Sequence, residues 1–249
     1  MKTLFLIPPG IYNGDLIFFH AKQRLMIFSL VSMAFPIVLL ACILPSYLYA
    51  WSSPDIPTLL NKMEEAYAGV NDYRANMEVR KYQKGGSFET EKFLYTFKKP
   101  KWIRLDFESP HPGMILIYPD KNGKVVIRRF FTFHLSIDNS LLRVSAGQRV
   151  DQTDLGLLIQ NISHSLTDRR RGPVEVTEDE GDVRVRALAD DHFREGVLTE
   201  YQFFIDKNRW LPVRVEESTP DGYLERTIIF RNLRINIDVP SSFFQLDEE

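Results

Sequence analysis

The sequence predicts a mainly β protein with two helices: a curved antiparallel half-barrel of about ten strands, helices on its concave side, behind an N-terminal hydrophobic segment. Three observations lead there. Short runs of alternating apolar and polar residues, rich in Phe and Tyr, recur along the chain after about residue 72. Tight turn signals join them, so consecutive strands must be antiparallel neighbours. Only two stretches carry apolar residues at helical spacing. A sheet of ten strands curls instead of lying flat, and two amphipathic helices suit its concave side.

Residues 1–50 are read as an N-terminal extension plus a signal peptide or membrane anchor. Lys22, Gln23 and Arg24 precede an apolar run from Leu25 to Leu44, and Pro45, Ser46 and Ala50 follow before Trp51. Positive, then apolar, then small is the order of a secretory signal. At about 20 residues the run also spans a bilayer if it is never cut. Either way the positive end stays in the cytoplasm and the bulk of the chain lies beyond the membrane. The first twenty-one residues, with Pro8, Pro9, Gly10, Asn13 and Gly14, are unusual for a signal; a later start such as Met26, or an unstructured extension, accounts for them. Cys42 is the single cysteine. Leu39-Leu40-Ala41-Cys42 partly fits a lipoprotein cleavage site. The weight lies against lipidation: Leu40 and the apolar Ile43-Leu44 fit poorly, and a lone cysteine in an apolar helix is an ordinary small hydrophobe.

Residues 51–249 are read as one β domain. Trp51 to Pro57 is a linker. Asp55 caps a helix with Pro57 in its first turn, and Leu59, Leu60, Met63, Ala66, Tyr67 and Val70 form its stripe, to a stop at Gly69 and Asn71. Strands are expected over Tyr73–Gln83, Phe88–Phe97, Lys101–Glu108, Met114–Tyr118 and Lys124–Phe130. Gly85-Gly86 and Asn122-Gly123 write two of the turns. In the third strand Trp102, Arg104 and Asp106 face one way and Ile103, Leu105 and Phe107 the other. Residues 131–150 fit no single pattern. A second helix runs over about 152–167, capped by Asp151 or Thr153, with Leu155, Leu158, Ile159, Ile162 and Leu166 as its stripe and Arg169-Arg170-Arg171 at its negative end. Strands follow at Val174–Thr177, Val183–Ala189, Thr199–Ile205, Leu211–Glu217 and Tyr223–Leu233.

Composition narrows the function. A formal net charge of −2 and a pI of about 6.2 give no global field to hold a phosphate backbone, so nucleic acid is not an expected partner. The domain has no thiolate, and its histidines, His111, His134, His164 and His192, lack the spacing that places two imidazoles on one face. No phosphate loop or nucleophile elbow occurs, and no cofactor or metal is expected. The best catalytic or cation-binding constellation is Asp179, Glu180, Asp182, Asp190, Asp191, His192 and Glu195; it spans two expected turns, where acidic residues are ordinarily just solvated.

Several stretches together resemble the LolA/LolB-like superfamily of periplasmic lipoprotein carriers and their relatives. They are Glu65-Ala66-Tyr67-Ala68-Gly69-Val70-Asn71-Asp72-Tyr73-Arg74-Ala75, where a helix turns straight into a strand, and Phe97-Lys98-Lys99-Pro100-Lys101-Trp102-Ile103-Arg104-Leu105, a Lys-Pro corner with aromatic-x-Arg. A third is Tyr201 to Asp206 through Leu211-Pro212-Val213-Arg214-Val215, and the last is Asn236 to Phe244, a Pro-containing turn before Phe. The likeness covers about residues 57–245. It implies a hydrophobic cavity for acyl chains, with Phe93, Tyr95, Phe97, Ile103, Leu105, Phe107, Ile115, Ile117, Tyr201, Phe203 and Ile205 as candidate lining. It also implies that Arg104 holds a helical lid closed, whereas on the residues alone Arg104 could equally be an outward-facing partner of Asp106. Alternating aromatic strands pack a plain core more often than they line a pocket. The expected function is therefore envelope lipid or lipoprotein binding, with acyl chains or envelope proteins as partners. The alternative is a protein-interaction or stress-sensing module of the same fold, and an enzyme is not expected.

Overall fold

The computed structural model describes residues 54–143, 148–168 and 171–246. The N-terminal segment, Cys42 and Arg169-Arg170 lie outside the described residues. Helix α1 spans Ile56–Ala68. The Asp55 carboxylate accepts from the Thr58 N–H at 2.7 Å, satisfying one of the donors a helix start leaves open. Strands β1 (Asp72–Tyr82), β2 (Phe88–Lys98), β3 (Trp102–Ser109), β4 (Ile115–Tyr118), β5 (Val125–Arg128) and β6 (Thr132–Leu135) then run in antiparallel succession. Helix α2 spans Leu155–Thr167. After it come β7 (Glu175–Glu178), β8 (Asp182–Asp190), β9 (Leu198–Asp206), β10 (Pro212–Ser218) and β11 (Leu224–Ile235).

All eleven strands form one antiparallel sheet in the order β6-β5-β4-β3-β2-β1-β11-β10-β9-β8-β7. Strand β11 returns to pair with β1, joining the two meanders in the middle, while β6 and β7 remain edges; the sheet curves without closing. Among the described residues of 131–150 stand β6 and the 3-10 turn Ser140–Leu142, and a further 3-10 turn, Val150–Gln152, begins at its end.

Period two sorts the side chains. One face carries Tyr73, Tyr95, Phe97, Ile103, Leu105, Val185, Tyr201 and Phe203, which pack with Leu59, Met63, Leu155, Ile159 and Ile162 of the helices into one core. Its aromatics stack: Tyr73 on Phe97 at 5.0 Å between ring centres, Tyr201 on Phe203 at 5.4 Å. Each such side chain removed from water contributes about 1.5–3 kcal/mol. The other face carries a small separate cluster of Ile117, Val239 and Phe244, with Trp102 and Phe243 packed against it.

One cap corrects the sequence reading. Asp154, not Asp151 or Thr153, caps α2: its Oδ1 accepts from the N–H groups of Gly156 at 2.8 Å and Leu157 at 3.2 Å. Asp151 is taken by Arg149, and the Thr153 hydroxyl donates to the Val150 carbonyl. The 3-10 turn Val150–Gln152 takes Asp151, and Thr153 after it is bonded back to that turn, which leaves Asp154 to cap.

Candidate functional site

A cavity lies between the concave face and α2. Its floor is Met77, Val79, Phe93, Tyr95, Leu105, Tyr201, Phe203, Val215, Ile228 and Phe230, from six strands, and Leu158 and Asn161 of α2 overhang it. The polar lining consists of Glu91, Gln148, Gln152, Thr153, Asp154, Asn161, His192, Glu217 and Arg226. The space open to the centre of a water-sized sphere is about 80 Å³. One water needs 10–15 Å³ on that measure, so this is room for roughly six water-sized spheres. A short alkyl segment fits; a complete acyl chain needs α2 to move outward.

Tyrosines hold α2 to the sheet at its N-terminus. The Tyr73 hydroxyl accepts from the Leu155 N–H at 3.0 Å, Tyr95 and Thr153 share a hydroxyl hydrogen bond at 3.1 Å, and Tyr67 of α1 donates to Asp154 at 3.2 Å. Burial pushes the Tyr67, Tyr73 and Tyr95 phenols above their ordinary value, and the Asp154 carboxylate adds to the effect, so all three stay neutral. The close approach of α1 to α2 depends on Gly156, where a Cβ would sit 2.5 Å from the Tyr67 ring.

At the far end of α2, the loop after β8 closes the cavity side. His192 stacks on Tyr201 at 5.0 Å, its Nε2 meets the Ser165 hydroxyl at 3.0 Å, and its backbone N–H donates to the Tyr201 hydroxyl at 3.3 Å. Burial lowers the His192 pKa, with Asp191 opposing and His164 assisting. Arg226 Nε donates to Glu217 Oε2 at 2.8 Å, a buried cross-strand ion pair in the cavity lining.

Of the expected lining residues, Phe93, Tyr95, Leu105, Tyr201 and Phe203 border the cavity. Phe97, Ile103 and Ile205 lie on the same face but are buried in the core, and Phe107 stands against Phe93 at 5.3 Å between ring centres. Ile115 and Ile117 are on the opposite face: they stand across from Asp106 and Arg104, while Leu116 between them pairs with Leu105. Arg104 reaches neither helix. It chelates Asp106, donates to the Phe243 carbonyl at 2.8 Å and lies over the Phe243 ring at 4.3 Å. Parity is the reason, because Arg104 alternates with Ile103 and Leu105, which face the helices.

The sequence reading missed Met77 and Val79, which alternate plainly in β1, and Val215, Ile228 and Phe230. It also missed Glu217–Arg226, which counting outward from the Pro220-Asp221-Gly222 turn brings opposite one another. The acidic constellation is dispersed: Arg184 holds Asp179, Arg171 holds Asp190 and Arg194 holds Asp191. Among the described residues no group of acidic, His or Cys side chains is arranged to hold a metal ion.

No family model matches the sequence, and comparison with curated proteins gives no match. Solved structures with a similar arrangement include the following. A LolA superfamily protein of Nitrosomonas europaea is 10% identical, over 77% of this chain and 97% of that one, at a TM-score of 0.37. The MucA/MucB complex of Pseudomonas aeruginosa matches at 14% identity, 76% and 59% coverage and a TM-score of 0.42. A DUF1329 family protein from Desulfovibrio piger matches at 13%, 75% and 94%, with 0.39.

Proposed function

We propose that this is an envelope lipid- or lipoprotein-binding protein whose concave cavity takes the alkyl part of an acyl chain, with α2 as lid. The observation that carries the reading is the floor: ten apolar side chains from six strands line it. Such a surface gains about 25 cal/mol for each Å² of ligand and wall removed from water and asks for no polar match inside. The lid is hung at one end by hydroxyl hydrogen bonds that can re-form with water, so outward motion of α2 enlarges the room. The motifs resembling the LolA/LolB-like superfamily support the same reading, including sorting of lipoproteins to the outer membrane. The positive-then-apolar N-terminus supports placement in the periplasm or cell envelope. Among the described residues, no grouping of acidic, His or Cys side chains is arranged to hold a metal ion.

A second reading has its own observation. The largest buried side chains stack tightly and leave only about 80 Å³, which suits an envelope protein-interaction or stress-sensing module with a filled core.

Titration of the purified protein with a fluorescent fatty acid, alongside mass spectrometry of co-purified lipid, separates the two. Lipid binding at micromolar affinity is expected. Leu158→Trp, which fills the cavity from a half-buried lid position, should weaken it at least tenfold while leaving the melting temperature within a few degrees. Absence of extractable lipid and of saturable binding in the wild type would favour the interaction module. Ile103 and Phe203 are less suitable test positions: both are buried in the core, and a carboxylate at either would report on folding.

A further inference from the structure

Four of the five large hydrophobic side chains that stand exposed among the described residues fall within one short stretch: Phe130, Phe131, Phe133 and Leu141, at 81%, 75%, 55% and 81% exposure. Phe130 and Phe131 occupy the tip of the β5–β6 hairpin, at the open edge of the sheet. Leaving such rings in water costs free energy without any return in packing, and contiguous exposed apolar surface marks an interaction site. Arg128 and Arg129 enter the same tip, and the Arg129 guanidinium lies over the Phe130 ring at 5.0 Å. The stretch is basic on balance. Residues 120–151 contain six Lys and Arg against Asp120, Asp138 and Asp151, in a chain whose net charge is −2; Arg149 is held by Asp138 and Asp151.

From this we infer that the β5–β6 tip docks onto an anionic lipid bilayer surface, with the Phe130 and Phe131 rings in the interfacial layer and Arg128 and Arg129 at the headgroups. Aromatic rings favour that layer because one part of it is apolar and another wet. Each cation near an anionic leaflet adds attraction of its own. A protein partner would need a matching acidic and apolar surface, whereas a bilayer offers both properties at any point. The tip is also continuous with the cavity. One cross-strand row runs Tyr95, Leu105, Leu116, Ile127, Phe133, each paired with the next, from the cavity floor to the exposed edge. Docking by the tip would set the apolar end of that row against the membrane.

The test uses the full chain reconstituted in vesicles. Because the N-terminal hydrophobic segment will hold it on any bilayer, the readout must be local. Cys42→Ser with Thr132→Cys, labelled with an environment-sensitive fluorophore, places the probe between Phe131 and Phe133 without removing either. In vesicles of phosphatidylcholine with phosphatidylglycerol, the emission should shift to the blue and be quenched by nitroxide lipid, far more than in phosphatidylcholine alone. The double variant Arg128→Glu, Arg129→Glu should lower the inserted fraction roughly tenfold or more. A label at Ser87→Cys, on the exposed β1–β2 turn, should stay wet throughout. The inference is overturned if the Thr132 label stays as wet as the Ser87 one, if anionic lipid makes no difference, or if the label responds only when another protein is added. Fatty-acid titration of the charge-reversed variant should be unchanged, so failure at the tip and failure of the cavity reading remain distinguishable.

Discussion

Gly156 decides how near the two helices come. A methyl group there would lie 2.5 Å from the edge of the Tyr67 ring, which would have to swing away and release Asp154. In an open helix, Gly→Ala is stabilising by up to about 1 kcal/mol. Here overpacking, which costs about 1–3 kcal/mol, should win. Gly156→Ala is therefore expected to destabilise the domain by about 1–2 kcal/mol in denaturant unfolding. In a Tyr67→Ala background, with the ring gone, the same substitution should become neutral or stabilising; a double-mutant cycle that shows additivity would refute the contact. Lys99 works on the same end of α1, donating to the Tyr67 and Ala68 carbonyls at 3.1 and 3.2 Å, a cation at the helix's negative end. The Lys-Pro corner read in the sequence thus has a local physical task.

The segment after β11 works as a strap on the outer face. Asn236 and Asp238 take positive φ, a conformation Asn and Asp tolerate better than most residues, and turn the chain back. The Asp72 carboxylate accepts from the Ile237 and Val239 N–H groups at 2.8 and 3.2 Å, and Lys98 donates to the Val239 carbonyl at 2.6 Å. Phe244 is then pressed against Trp102, ring centres 5.8 Å apart, with Arg104 bound to the neighbouring carbonyl. A half-buried charged hydrogen bond of this kind contributes about 1.5–3 kcal/mol. Arg104→Ala should lower stability by about 1–3 kcal/mol and make residues 237–246 exchange amide hydrogens faster. Fatty-acid affinity should be unaffected, since the strap and the cavity are on opposite faces. A large loss of affinity would restore Arg104 to the lid.

For the molecule as a whole, the prediction concerns side. On the proposed reading, the positive-then-apolar N-terminus delivers the domain beyond the cytoplasmic membrane. A reporter fused after Glu249 that matures only in the cytoplasm should be inactive, and one that matures only after export should be active; the reverse result would dismiss envelope placement. The two proposed surfaces sit on one sheet, the cavity under α2 in the middle and the β5–β6 tip at an open edge. That arrangement is available because the sheet curves but does not close.

The sequence by itself determined both helices, ten of the eleven strands and their antiparallel order, because helical stripes, two-residue alternation and Gly, Asn and Pro turns are local signals. It missed β6, Thr132–Leu135, whose exposed Phe133 and His134 sit at an edge and break the alternation that a half-buried strand would show. It identified five of the residues bordering the cavity and could not tell which face looked inward. A strand's period separates two faces, but packing against α1 and α2 decides which one is concave. The same limit explains Arg104 and Ile117, whose motif and hydrophobicity suggested the lid and the cavity while register placed them outside. The contact between Gly156 and Tyr67 across 89 positions arises only when distant segments are brought together. Local chemistry specified the elements; long-range packing set the floor, the lid and the room between them.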